Sequence, residues 1–463
     1  MIMSLSNTFT QKSRMQAVFG RPRKLLFVGI GGIGMHALAI MMTSRGHTVI
    51  GTDRSPSPAV VAGLAAHGIP LYTGHSAAHV AGCDALVYTL AVSPESPELV
   101  AAQQAGIPCF SRADILGYLM GEAPTRVAVA GMHGKSTVTA MLAAVLQAAG
   151  KDPTVVSGAP LSAGGAAFLQ GKGDIFLAEA CEYRDSFLCL DPTVAVVLNA
   201  ELEHTDYFRT ESDVRRSFIA FMQGAASVIL PTAPTRVPLS PPQGSEVFTF
   251  GTEKEAFVRA ENFDNDQGAP TFDLYIGEKK QGRAQLKLLG EHNVQNALAA
   301  CAAALACGID PSVSVKALCD FTGTPMRLEE KGMRRGVRLY ADYAHHPTEI
   351  RASLAALRRV TAKTGGRLFC LFQPHTYSRT ASFFCDFADA LSAADRVILA
   401  DIYAARERNE SGVSSEVLAN SISRGVYAAD LPTAVRILDK EAWDGDLAVI
   451  MGAGDIHRIF SLL

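Results

Sequence analysis

The sequence predicts an α/β protein made of three successive blocks of mostly parallel sheet and covering helix. Three observations carry this. A strand, helix, strand rhythm opens near residue 25 and restarts near residues 126 and 367. Two glycine-rich turns, at 29–34 and 131–134, each join an apolar strand to a helix. The length, 463 residues, exceeds the roughly 250–300 at which one hydrophobic core stops growing.

In the first block residues 25–29 form an apolar run, 34–45 a helical pattern and 48–53 a second strand, which is a βαβ unit. The second block begins at 126–130, after the turn-rich stretch Gly121, Glu122, Ala123, Pro124. The third begins at 367–372, after Gly365 and Gly366. Breaks between blocks fall near 121–125 and near 323–330, where Gly323, Thr324 and Pro325 interrupt helical patterning. The proline-rich stretch 231–246 reads as a surface loop. No short-period repeat is present, which sets solenoids aside.

A composition of 48% hydrophobic and 19% charged residues belongs to a globular protein and excludes a disordered one. A formal net charge of −3 leaves no electrostatic footprint for nucleic acid or an anionic membrane, so small molecules are the expected partners. The nine cysteines, at 83, 109, 181, 189, 301, 307, 319, 370 and 385, form no CxxC pair. An odd number without that spacing indicates free thiols rather than a disulfide framework or a zinc site. The first 24 residues include Lys12, Arg14, Arg21, Arg23 and Lys24 but no apolar run of a signal peptide, and no stretch of about 18 apolar residues follows. A cytoplasmic protein is expected.

Gly29, Gly31 and Gly34 make a GxGxxG turn, with Gly32 inside it, between the first strand and its helix. Such glycines let backbone amides approach a diphosphate at a helix N-terminus. Asp53, ending the second strand, falls where a ribose-binding carboxylate would stand. The same turn also serves plain helix-on-strand packing, and NAD is a further occupant it could take.

The second turn is more specific. Gly131, Met132, His133, Gly134, Lys135, Ser136 and Thr137 lead from a strand into a helix. Amides of such a loop wrap phosphates, Lys135 can neutralise the β and γ charge, and the Ser136 hydroxyl can ligate magnesium. Val129 stands where the general loop has its first glycine, so this is a shorter variant. Glu179 and His204 each follow an apolar strand and are candidate metal ligands. Magnesium prefers oxygen, which makes His204 the unusual member, and an ordinary surface or core histidine is its plainer reading.

With these motifs in view, residues 22–461 resemble the Mur ligase family of peptidoglycan synthesis. Residues 131–137 are similar to its ATP loop, and 179–184 (Glu-Ala-Cys-Glu-Tyr-Arg) to its metal strand. Residues 199–206 resemble its Asn-x-Glu-x-Asp-His segment, with Glu203 in place of Asp. The stretch 290–297 resembles the segment that receives adenine through His292, Asn293 and Asn296; on its own it reads as a helix N-terminus capped by Asn293. Where the family has an arginine pair directed at the γ-phosphate, this chain has Met326 and Arg327. Residues 342–349 and 372–380 resemble the Asp-Tyr-x-His-His-Pro-Thr-Glu and Phe-Gln-Pro-His-x-x-x-Arg-Thr segments of the alanine-adding branch.

The resemblance implies a Rossmann-like UDP-sugar domain over 1–121, a central ATP-binding domain with a mostly parallel sheet over 122–325, and a Rossmann-like amino-acid domain over 326–463. It implies ATP-dependent ligation of L-alanine to UDP-N-acetylmuramate through an acyl phosphate, with Mg2+ or Mn2+, in a monomer or weak dimer. Catalysis would fall to Lys135, Glu179, His204, Arg327 and His345, and the metal to Ser136, Glu179 and His204. ATP would meet residues 131–137, His292, Asn293, Asn296 and Arg327. Gly29, Gly31, Gly32, Gly34, Asp53 and Ser93 would hold the UDP-sugar. Tyr343, His345 and Arg379 would hold the amino acid, since a guanidinium binds a carboxylate through two parallel hydrogen bonds. Two alternatives stay open: a ligase that reattaches recycled tripeptide, and a catalytically weakened nucleotide- or UDP-sugar-binding protein, suggested by Met326 and Glu203. A dehydrogenase would rest on the first glycine turn alone.

Overall fold

The computed structural model describes residues 13–205, 207–265, 268–405 and 407–463; Lys12 and Asp206 of the motifs above lie outside them. The chain divides into two compact units. One comprises Met1–Thr139, Leu146–Phe248 and Ala306–Gly308, the other Ala140–Val145, Thr249–Leu305 and Ile309–Leu463.

The first unit contains a five-stranded sheet in the order Leu71–Thr73, Thr48–Asp53, Lys24–Val28, Ala85–Tyr88, Cys109–Ser111, parallel throughout. Its central strand is covered on both faces, which is why it reads as an unbroken apolar run, with Leu25, Leu26, Phe27 and Val28 all fully buried. The helix Ile33–Ser44 packs Leu38 and Met41 into the same core as Phe27 and Ile115. From the central strand the chain proceeds to one side and later returns to the other. This reversal opens a crevice beyond the strand ends, where α/β sheets bind ligands.

A second set of strands in this unit runs Ser227–Pro231, Val194–Val197, Thr125–Ala130, Ile175–Glu179, Thr154–Val156, Phe168–Leu169. All pairs are parallel except the last. Val129 pairs with Glu179 and Ala130 with Val197, so three strand ends meet where the lysine-bearing loop leaves Ala130. The proline-rich stretch after Pro231 is irregular, yet Val237 within it is 1% exposed and donates its N–H to Ala200 O at 3.0 Å. It is an anchored loop rather than a purely superficial one.

In the second unit an antiparallel meander of Val258–Asp264, Thr271–Ile276 and Lys279–Gln285 is flanked by the helices His292–Ala306 and Pro311–Asp320. A six-stranded sheet follows in the order Glu329–Arg334, Val337–Asp342, Leu447–Met451, Leu368–Phe372, Arg396–Ala400, Gly425–Ala428. Only its first strand is antiparallel. Apolar clusters cover both faces, one around Phe372, Phe387 and Leu354, the other around Phe369, Leu371 and Ile450. Among the described residues all nine cysteines are free, and no helix is long and apolar enough to cross a membrane.

Candidate active site

At the first turn Gly29 takes φ +76° and its N–H donates to Thr52 O at 2.8 Å, which folds the chain off the strand. Gly31 donates its N–H to Asp53 Oδ2 at 2.8 Å, while Ser55 N–H donates to Oδ1 at 2.9 Å. A Cβ on Gly31 would stand 2.7 Å from Asp53 Oδ2, so only glycine permits this approach. Gly32 precedes the helix without a side-chain cap, leaving first-turn amides to an external acceptor. Ser93 Oγ accepts from Glu95 N at 3.2 Å and so shapes the loop after Tyr88. The motif reading missed Arg112. Its guanidinium lies 3.0 Å from where a Cβ of Gly34 would be, and among the described residues it has no hydrogen bond or ion pair. A half-buried cation beside a helix N-terminus is an arrangement that an anion stabilises. Arg112 opens its own helix, from Arg112 to Met120, and only the tertiary fold brings it to the turn.

At the second turn Gly131 and Gly134 take φ +140° and +86°. Asn199 clamps the loop from the neighbouring strand end: its Oδ1 accepts from His133 N at 2.9 Å and its Nδ2 donates to His133 O at 3.0 Å. His133 Nε2 meets Glu201. Lys135 opens the helix Lys135–Ala148, followed by buried Ser136 and Thr137. Its Nζ donates to Gly131 O at 2.5 Å and Met132 O at 3.2 Å, and faces Glu182 at 3.1 Å from Oε1 and 3.0 Å from Oε2. Burial opposes a charge on Lys135, but the Glu182 carboxylate outweighs it and the ammonium titrates above the ordinary lysine value. Burial likewise opposes the Glu182 charge, and Lys135 and His204 together hold its carboxyl below the usual range. Glu182 is followed closely by two left-handed residues, Arg184 and Asp185, at φ +52° and +57°.

The metal candidates are placed unequally. Glu179 ends its strand and accepts at Oε2 from Gly158 N at 2.7 Å and Ser157 Oγ at 3.3 Å. His204, at φ +52°, holds Nε2 3.1 Å from Glu182 Oε1 and tilts against Tyr183. Glu203 is buried. Glu182 Oε2 is buried without a hydrogen-bond partner, its close neighbour being the Lys135 ammonium. Carboxylate and hydroxyl oxygens from Glu179, Glu182 and Ser136 suit a hard divalent cation, so the residues present fit one. His204 is engaged by Glu182, which motif reasoning did not single out although the residue lies within the quoted metal strand.

In the second unit the helix opens at His292, so Asn293 lies inside its first turn and does not cap it. Asn293 Nδ2 reaches back to Leu289 O at 2.8 Å, and Asn296 Nδ2 donates to Asn293 Oδ1 at 2.9 Å. Burial brings His292 down to about 4; Glu349 opposes this and Arg327 adds to it. Arg327 lies over the Tyr343 ring at 5.2 Å. Tyr343 and His345 meet edge to face at 5.5 Å, His345 and His375 at 6.2 Å, and His375 Nδ1 is 3.3 Å from Arg379 Nη1. Arg327, Tyr343, His345 and Arg379 thus form one continuous string, with His375 as a member that sequence reasoning quoted but gave no role. Burial brings His375 down to about 4, assisted by Arg379 and His345. His345 Nδ1 lies 3.0 Å from Tyr343 O, and Glu349 Oε2 accepts from His345 N at 3.0 Å. Met326 takes φ +63°; its carbonyl accepts from Tyr343 N at 2.7 Å and its N–H donates to Glu329 Oε2 at 3.0 Å.

A lysine-bearing glycine loop, a second glycine turn at a sheet's switch point and an arginine–histidine string are features of α/β enzymes that act on anionic substrates. Comparison with known proteins narrows this class. The Mur ligase family, catalytic domain, matches residues 24–123, the Mur ligase middle domain 129–304, and the Mur ligase glutamate ligase domain 326–454. A UDP-N-acetylmuramate--L-alanine ligase of Clostridium novyi (strain NT) is 39% identical over 445 residues, 94% of this chain and 96% of the relative. One of Agathobacter rectalis is 39% identical over 461 residues, 95% and 97% respectively. The crystal structure of UDP-N-acetylmuramate-alanine ligase from Thermotoga maritima superposes with a TM-score of 0.80 at 26% identity, over 95% of this chain and 98% of that one. A murein peptide ligase from Psychrobacter arcticus shares the fold at a TM-score of 0.72 and 23% identity, over 95% and 98%. The chain belongs to the Mur ligase family and is an ATP-dependent ligase of acid and amino acid.

Proposed function

We propose that this ligase joins L-alanine to UDP-N-acetylmuramate in the cytoplasm, as a monomer or weak dimer, with domains over 1–121, 122–325 and 326–463. The observation that carries the reading is the string from Arg327 to Arg379, a compact basic lining suited to the carboxylate of a single small amino acid. The names of relatives 39% identical along nearly the whole chain support it.

The lactyl carboxylate of the sugar attacks the γ-phosphorus of ATP; a P–O bond forms as the bond to ADP breaks. The amine of L-alanine then attacks the acyl carbon, and inorganic phosphate leaves as the amide forms. Gly131, Gly134, Lys135 and Arg327 grip and neutralise the phosphates, a matter of positioning and charge rather than covalent help. His292, Asn293 and Asn296 receive the adenine. Ser136, Glu179 and His204, with Glu182, would hold Mg2+ or Mn2+, which would supply further neutralisation of the phosphoryl charge. Arg379 fixes the alanine carboxylate beside Tyr343. A carbonyl acceptor at His345 Nδ1 favours the tautomer with its lone pair on Nε2, the form that accepts an amine proton. Gly29, Gly31, Gly32, Gly34, Asp53 and Ser93 hold the uridine diphosphate, joined by Arg112.

The test is phosphate release from ATP and UDP-N-acetylmuramate with L-alanine, L-serine, glycine or the recycled tripeptide offered in turn. Release is expected with L-alanine foremost and to fall by on the order of 10²–10³ in Lys135→Ala. Turnover with the tripeptide alone, or binding of both nucleotides with no release for any acceptor, would overturn the assignment.

A further inference from the structure

Glu182 occupies an unusual electrostatic position. Its side chain is 2% exposed, and besides a hydrogen bond from its own backbone its close polar neighbours are the Lys135 ammonium and His204. An ammonium has three hydrogens to give. Gly131 O, Met132 O and Glu182 take all three. The group that should greet a phosphate is therefore already engaged, and a negative charge stands in the loop where phosphate oxygens must come.

We propose that Glu182 makes nucleotide binding at the loop conditional on a divalent cation. Metal-free nucleotide meets like-charge repulsion from a buried carboxylate and must strip Lys135 of its partner. A cation offered with the nucleotide finds Oε2, the oxygen held only by its 3.0 Å ion pair with Lys135, and Lys135 is released to the phosphates. The same carboxylate then favours the complex it otherwise opposes. This rests on the reading of the 131–137 loop as the ATP site.

Calorimetric titration of ADP, which cannot react, into the full chain with EDTA or with magnesium chloride tests the inference. Wild-type protein is expected to bind ADP at least about tenfold more tightly with Mg2+, the scale of one charge interaction in a partly buried site. In Glu182→Gln metal-free binding is expected to tighten about tenfold, and the gain from Mg2+ to fall to about threefold or less. Glu182→Asp keeps the charge and should keep the metal dependence, which distinguishes electrostatics from shape if the glutamine variant folds poorly. Equal weakening of both titrations in Glu182→Gln, or no change in either, would overturn the proposal. Wild-type protein that bound no ADP even with Mg2+ would instead overturn the ATP reading, and this proposal with it.

Discussion

The phosphate loop of the first unit and the imidazole-rich string of the second solve opposite problems. Around Lys135 the buried groups are kept charged, ammonium against carboxylate. Beside Arg379 and Arg327 the half-buried imidazoles of His375 and His292 are kept neutral, both down to about 4. The first arrangement suits a polyanion that must be gripped. The second leaves the positive charge to its arginines, which suits the carboxylate of a small amino acid. Burial is common to both regions. What differs is whether an opposite charge stands within hydrogen-bond reach, as it does for Lys135, or another cation does, as for His375.

Removing the charge in the first region should have the largest effect. Lys135→Ala is expected to lower phosphate release by on the order of 10²–10³, while leaving UDP-N-acetylmuramate binding, followed calorimetrically, intact. A loss of sugar-nucleotide binding as well would mean that the two glycine turns are not separate sites. In the second region Arg379→Ala should reduce kcat/KM for L-alanine by roughly 10- to 100-fold with the KM for ATP unchanged, the span of one or two charge-assisted hydrogen bonds. Arg379→Lys should recover only part of this, since a point charge cannot form the two-pronged contact. Arg112→Ala, at the first glycine turn, should raise the KM for UDP-N-acetylmuramate by about tenfold and spare the alanine kinetics. A rise in the KM for alanine would assign Arg112 elsewhere.

The smallest effect is on stability. The folded-state pKa of His375 stands below its ordinary 6.5, at about 4. Between those values the unfolded chain binds a proton that the folded chain does not, so acidification through this window destabilises the fold. His375→Gln should flatten denaturant-derived stability between about pH 6.5 and 4 by on the order of 1 kcal/mol, allowing for screening of a partly exposed ring. An unchanged slope would show that the ring titrates normally.

The sheets and both glycine turns were legible because local chemistry dictates them. A run such as Leu25 to Val28 is buried on both faces, and a loop that must take φ +140° at Gly131 needs glycine there. The strand-end position of Glu179 followed from the same logic, whereas His204 stands in a turn beyond the strand that ends at Val197. Three things were not legible. Arg112 reaches Gly34 only through tertiary packing. Glu182 acquires its role from Lys135 and His204, each distant in sequence. The meander over Val258–Asp264, Thr271–Ile276 and Lys279–Gln285 hides because polar side chains complete it: Asp273, 3% exposed, is held by Lys280 at 2.7 Å and Arg283 at 3.2 Å. Asn293 misled for a related reason, since a carbonyl one turn earlier claims its amide and the helix starts already at His292.

Met326 interrupts the arginine pair of the family's motif, yet the molecule uses this residue through its main chain, which braces Tyr343 and Glu329. Those main-chain bonds do not depend on which side chain stands there, and the site is a socket into which evolution or an engineer can plug a second guanidinium. Exchange there would retune the enzyme's speed without a toll on its architecture, provided the newcomer tolerates a left-handed backbone.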